Sequence, residues 1–223
     1  MSDATNGVAT EGATGAAADV GPTVGVVYGI PPQPPVAANT RMLEAGALRI
    51  GVEYRDVDPA ALRATYAGNA AQLAELEDRS PVGGFSDEGV SVHVFDAEDG
   101  HEYLRFDLFD GEPHYHYNHR PGPAGEAVNN VVPFDVTAGG DMLDWAFERL
   151  RTRLPQMLAK AGGGHLVPRV DQAALEPVLA EARALAAAAR EGYRRAGESG
   201  TDRAAAGRPG SGGVDTETAG AGA

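Results

Sequence analysis

The residues that could do chemistry cluster between Gly89 and His119: His93, Arg105, Asp107, His114 and His116, with His101 and His119 nearby. Imidazole suits zinc, iron, copper and nickel. Two histidines with one carboxylate form the ligand set of non-haem iron oxygenases and of several hydrolytic zinc sites. His114-Tyr115-His116 has the spacing that puts two imidazoles on one side of a strand. On this reading His114 and His116 are ligands of a divalent metal, zinc or iron, with Asp107 or His93 as the third. A metal-bound water would be the reactive species, so hydrolase and oxygenase chemistry are both open. His101 and His119 stand in reserve.

Arg105 argues the other way, because a guanidinium between histidines opposes a cation unless it turns towards Asp107 or Glu53, or binds a small anionic ligand. Ser91, Glu53 and Arg105 are the residues assigned to that ligand. The competing reading is a non-enzymatic interaction or oligomerisation module, possible as a homo-oligomer, that uses the same polar face. A solvated face with cross-strand Arg105–Asp107 or Asp107–His114 contacts needs no metal at all. Whether the chain is an enzyme stays open.

Other motifs carry less. Asp56, Asp58, Asp96, Glu98, Asp99 and Asp110 fall at caps and turns, where Asp is locally favoured. Gly162-Gly163-Gly164-His165 lacks the Lys-Ser/Thr ending of a phosphate loop, and no serine sits on a nucleophile elbow. After the histidine pair the next glutamate is Glu126, beyond a Pro/Gly loop, which does not fit a cupin.

These side chains need strands to position them. Three are expected, at Val90 to Asp96, Glu102 to Phe109 and Glu112 to Asn118. Glu98-Asp99-Gly100 should form a three-residue loop with left-handed glycine, and Asp110-Gly111 a two-residue type I′ turn. The resulting register sets Asp107 opposite His114 and Arg105 opposite His116, then His93 opposite Arg105 and Ser91 opposite Asp107. The other face then carries Val90, Val92, Val94, Leu104, Phe106, Leu108, Tyr115 and Tyr117, a clean apolar surface that a one-residue slip would destroy.

Around the meander, Ala47 to Asp56 alternates as a first strand, with Ile50, Val52 and Tyr54 on one side and Glu53 and Arg55 on the other. Asp58-Pro59 caps a helix running to about Glu77 and weakened near Gly68 and Asn69. Val131 to Val136 is a short edge strand broken by Pro133. Helices follow at 141 to 159, with Pro155 bending or dividing it, and at 171 to 195. The run VGVVYGIPPQPP at 24 to 35 is either an added strand or a linker with a proline spacer.

The expected fold class is therefore α+β: an antiparallel sheet of four or five strands, its apolar face covered by the three helices and its polar face open. Residues 1–38 and 197–223 are Ala/Gly-rich with little large apolar area, so disorder is expected there and a single domain at 39–196. Of the formal charge of −14, −3 lies in the first segment and −2 in the last, leaving −9 in between. Such a core repels phosphate backbones, so nucleic acid is excluded as a partner. The absence of Cys removes disulfides, Cys-ligated zinc and thiol nucleophiles. No secretory pattern and no spanning apolar segment are read, which makes no membrane and a cytoplasmic location the expectations.

The run GVSVHVFDAEDGHEYLRFDLFDGEPHYHYNH, with GDMLDWAFERLRTRL from Gly140, resembles an uncharacterised, mainly actinobacterial domain family of unknown function, over roughly residues 40 to 160. That resemblance implies a shared domain and transfers no activity. The shorter pattern Arg105-x-Asp107 with Pro113-His114-x-His116 is similar to one in small toxin-antitoxin-associated proteins.

Overall fold

The computed structural model describes residues 24–123 and 128–206. Seven strands form one antiparallel sheet: β1 (Val26–Tyr28), β2 (Thr40–Ala45), β3 (Leu48–Val57), β4 (Asp87–Asp96), β5 (Glu102–Phe109), β6 (His114–His119) and β7 (Val128–Pro133), in the spatial order β1-β7-β6-β5-β4-β3-β2. The α+β class stands, with a wider sheet than the four or five strands expected. The additions are β2, whose Arg-Met-Leu-Glu-Ala composition favours helix, and β1, from the segment read as strand or linker. β7 is interior rather than an edge, since β1 pairs with it through Val26–Val131 and Tyr28–Asn129.

The meander has the expected register: Val94–Leu104, His93–Arg105 and Ser91–Asp107 between β4 and β5, then Arg105–His116 and Asp107–His114 between β5 and β6. Gly100 is left-handed, as the first hairpin requires, at φ +78°. The second turn is not type I′. Gly111 is not among the positive-φ glycines, and β5–β6 pairing stops at Asp107–His114. The Asp87 carboxylate instead accepts from the N–H groups of Gly111 at 3.1 Å and Glu112 at 2.7 Å. The register therefore rests on the apolar pattern, not on the turn.

Behind that pattern, α4 (Met142–Lys160) and α5 (Gln172–Ala206) cover the apolar face. Leu150, Leu154 and Leu158 of α4 and Leu175, Ala182 and Ala186 of α5 pack with Ile50, Val92, Leu104 and Phe106, all nearly inaccessible. Each large side chain so buried contributes about 1.5–3 kcal/mol. Pro155 is accommodated inside α4, and α5 continues past Gly197, where a tail was expected to begin. Residues 1–23 and 207–223, the remaining parts of the expected tails, lie outside the described residues.

The helix expected to reach Glu77 is two helices, α1 (Pro59–Tyr66) and α2 (Ala70–Arg79), the second restarted by an Asn69 cap. They do not cover the apolar face as expected. With residues 29–36, which follow β1, they lie over the polar one, so that face is covered in part rather than open. Residues 24–36, read as an added strand or a linker, form β1 and then a strap across the cavity. Polar bonds pin it: Val27 and Pro31 carbonyls accept from Arg79 (3.3 Å) and the Tyr66 hydroxyl (2.7 Å), the Gln33 carbonyl accepts from Arg105 (2.9 Å) and Arg55 (3.3 Å), and the Gln33 side chain accepts from Arg55 (2.8 Å) and donates to Thr65 (3.2 Å). The N–H groups of Gly29 and Val36 donate to Glu75 and Glu53 at 2.8 and 2.7 Å. A short helix, α3 (Val136–Gly139), precedes α4.

Candidate metal centre

Between this strap, α1, α2 and the sheet lies a cavity of about 200 Å³. Its floor presents Arg55, Arg105, Asp107, His114, His116 and Asn129. Its walls are apolar, including Ile30 and Pro31 of the strap, Leu62 and Tyr66 of α1, Leu76 of α2, and Phe85.

Asp107 is the hub of the floor. Its Oδ2 lies 2.9 Å from His116 Nε2 and 3.2 Å from His114 Nε2, and its Oδ1 accepts from the Ser91 hydroxyl. Asp107 and His116 are almost wholly buried, and His114 is the most open of the three, with 14% of its side chain exposed. The opposite ring nitrogens are engaged too. His114 Nδ1 lies 2.6 Å from the backbone carbonyl of Glu112, and His116 Nδ1 lies 2.7 Å from Asn129 Oδ1. Among the described residues, Asp107, His114 and His116 form the group with mutually close donor atoms suited to a metal, all within 4.8 Å of one another.

Burial alone would raise the Asp107 pKa, but hydrogen bonds from His114 and His116 take it well below the ordinary carboxylate value. Burial disfavours charge on both histidines and wins at His116, whose pKa is lowered. At His114 the hydrogen bond to Asp107 and its charge outweigh burial, and the pKa is raised.

His93 does not join this group. Its Nδ1 lies 2.6 Å from Glu102 Oε1, and its Nε2 is 3.2 Å from Glu53 Oε2, at ion-pair distance but without hydrogen-bond geometry. Burial opposes its charge, yet the two carboxylates raise its pKa. Arg105 turns to neither Asp107 nor Glu53: its Nε and Nη2 grip Glu102 at 2.8 and 2.6 Å. Glu53, besides holding Val36, lies 3.3 Å from Arg55 Nη1. Ser91 is fully buried and donates to the aspartate rather than to a histidine, so no Ser–His–Asp relay exists here. His101 contacts the Asn118 carbonyl at 3.2 Å, and His119 lies beside Gly162; both are outside the cavity lining.

Glu102, Asn129 and Gln33 were missed by the sequence reading. Strict alternation from Leu104 puts Glu102 on the apolar face. The β4–β5 register shifts between Val94, opposite Leu104, and Phe95, opposite Glu102, leaving Tyr103 as the extra residue. Tyr103 then joins the core while Glu102 reaches Arg105 and His93. The adjacent apolar pair Tyr103-Leu104, a break in alternation, is the signal that could have found it. Asn129 fell in an expected loop and Gln33 in an expected spacer.

Fold and site together define an α+β domain with a histidine–aspartate floor sunk between an antiparallel sheet and a strap. The chain belongs to the DUF7700 family, a domain of unknown function, whose model matches residues 42–186. Neither the curated proteins nor the solved structures contain a match to it. Among the described residues, no helix is long and apolar enough to cross a membrane.

Proposed function

We propose that this domain binds a divalent ion, zinc or iron, through Asp107, His114 and His116, and presents it to a small molecule in the cavity. The observation that carries this reading is the direction of the ring nitrogens. The Glu112 carbonyl can only accept, so His114 Nδ1 carries a proton, and Nε2 is the nitrogen that would exchange its proton, shared with Asp107, for a metal. With Asn129 Oδ1 accepting from His116 Nδ1, the Nε2 of the second ring, when neutral, also offers a lone pair. Both face the same carboxylate oxygen. Three acceptors converging in a buried site need a cation among them, either a proton or a metal.

Metal-binding histidines characteristically donate their other N–H to a carbonyl or carboxylate, which is the arrangement at both rings. Donors about 2.1 Å from one ion stand roughly 3.0–3.4 Å apart; the two aspartate–histidine separations are 2.9 and 3.2 Å, and the three donor atoms together lie within 4.8 Å of one another. A divalent ion here would polarise a ligand oxygen or lower the pKa of a bound water, the starting point of both hydrolytic and oxidative chemistry. His93, engaged with Glu53 and Glu102, is left out of the ligand set, and Ser91 fixes the Asp107 carboxylate.

Elemental analysis of protein purified without a metal-affinity tag tests this. The expected result is about one zinc or iron per chain, lost in His114→Ala and His116→Ala. Added metal at about 100 times its Kd should stabilise the wild type by about 2.7 kcal/mol. Absence of bound metal, together with no thermal shift in zinc, iron, manganese or nickel, refutes the proposal.

A further inference from the structure

The charges of the cavity floor say what else must enter with the ion. Arg105 is matched by Glu102 and Arg55 by Glu53, with contacts at 2.6 and 3.3 Å. These groups are drawn off into pairs that hold each other and the strap. His93 sits between the same two glutamates and adds a positive charge when protonated. Asp107 is then the only carboxylate left to face a divalent ion, and no further acidic side chain lines this cavity among the described residues. At least one unit of positive charge stays uncompensated in a site where Asp107 and His116 are only 4% and 7% exposed. Burying an unpaired charge is strongly unfavourable, so an anion from solution is the natural complement.

The walls set the rest of that anion. Ile30, Leu62, Leu76, Phe85 and Phe109 surround the polar floor, and the Phe85 and Phe109 rings meet the His114 ring edge-on at centroid distances of 6.5 and 5.6 Å. A fully hydrated anion such as phosphate would leave these surfaces wet and lose its own water. An acid with an apolar body would fill them, at about 25 cal/mol per Å² of apolar surface removed from water. The cavity of about 200 Å³ holds a molecule of roughly one ring.

Resting on the metal reading, we propose that the ligand is a small organic acid with one apolar or aromatic body, its carboxylate on the ion and its body between α1, α2 and the strap. Arg105 and Arg55 are not its main anchors, because their contacts are spent on Glu102, Glu53 and Gln33. The ion is the anchor, and affinity should depend on it.

Salicylate, acetate and inorganic phosphate serve as probes in calorimetric titrations of the zinc-loaded and chelator-stripped full chain. Salicylate is expected to bind the loaded protein at least tenfold more tightly than acetate or phosphate, and to lose at least tenfold in affinity on stripping. Leu62→Glu, which puts a like charge into the wall away from the ion, should weaken salicylate at least tenfold with metal content unchanged; Leu62→Gln should weaken it far less. Phosphate or acetate binding as tightly as salicylate would overturn the apolar assignment while leaving the metal centre intact. Equal salicylate affinity with and without zinc, or no binding of any probe to loaded protein, would overturn the anchoring role. Failure to load metal at all would sink the earlier reading, and this one with it.

Discussion

At the scale of single residues, the floor divides into two sets that the sequence mixes together. Asp107, His114 and His116 converge, whereas His93 and Arg105 belong to Glu102. The types and the rows were legible from alternation; the direction of each long side chain was not, because it depends on Glu102 and Gln33, whose positions follow from a bulge and from the strap. Asn129→Ala should leave the fold intact but lower metal affinity roughly 10–100-fold, since His116 would lose the acceptor that fixes its ring; a competition assay against a zinc indicator measures this. Glu102→Gln should cost about 3–5 kcal/mol in denaturant unfolding, because it strands the buried Arg105 guanidinium and removes the carboxylate beside His93 Nδ1. His93 has a pH signature. Its pKa in the fold is raised above the ordinary 6.5, so its contribution to stability is complete below about pH 6.5 and is lost as pH rises through the folded value. Glu102 is the converse: Arg105 and His93 hold its pKa far below the usual 4.5 against the effect of burial, so its contribution is full above that value and fades only in strong acid. The melting-temperature gap between metal-free wild type and His93→Gln should therefore be wider near pH 6 than near pH 9. An unchanged gap would mean that His93 is neutral in the fold.

At the scale of elements, strands and helices with strong periodicity were readable, and their boundaries followed caps such as Asp58 and Asp141. What the sequence concealed was sidedness. α1 and α2 have apolar faces like α4 and α5, but nothing in their own periodicity says which side of the sheet they cover; that depends on the direction in which the chain turns at Asp58, the single residue between β3 and α1, and on the strap they clamp. The strap itself has few apolar contacts to advertise it, being held largely through backbone atoms. Its attachment should consequently be sensitive to single polar ties. Tyr66→Phe removes the bond to the Pro31 carbonyl and should cost about 1 kcal/mol. Amide exchange should speed up around Gly29 and Gln33 while β5 stays protected. Equal acceleration in β5 would mean that the strap and sheet open together.

At the scale of the whole molecule, one sheet separates two environments: an apolar layer of aliphatic and aromatic side chains under α4 and α5, and a charged, paired layer under α1, α2 and the strap. The family match spans residues 42–186, which contains Asp107, His114, His116 and Asn129, while Ile30, Pro31 and Gln33 precede its first residue. Floor and roof are thus written in separate stretches of chain, joined by the β1–β7 pairing and by polar bonds to Gly29, Pro31, Gln33 and Val36. On the metal proposal, exchanging residues 24–36 for another sequence would work like changing the die on a press: it would reshape what an ion held by Asp107, His114 and His116 meets, without replacing the residues that hold it.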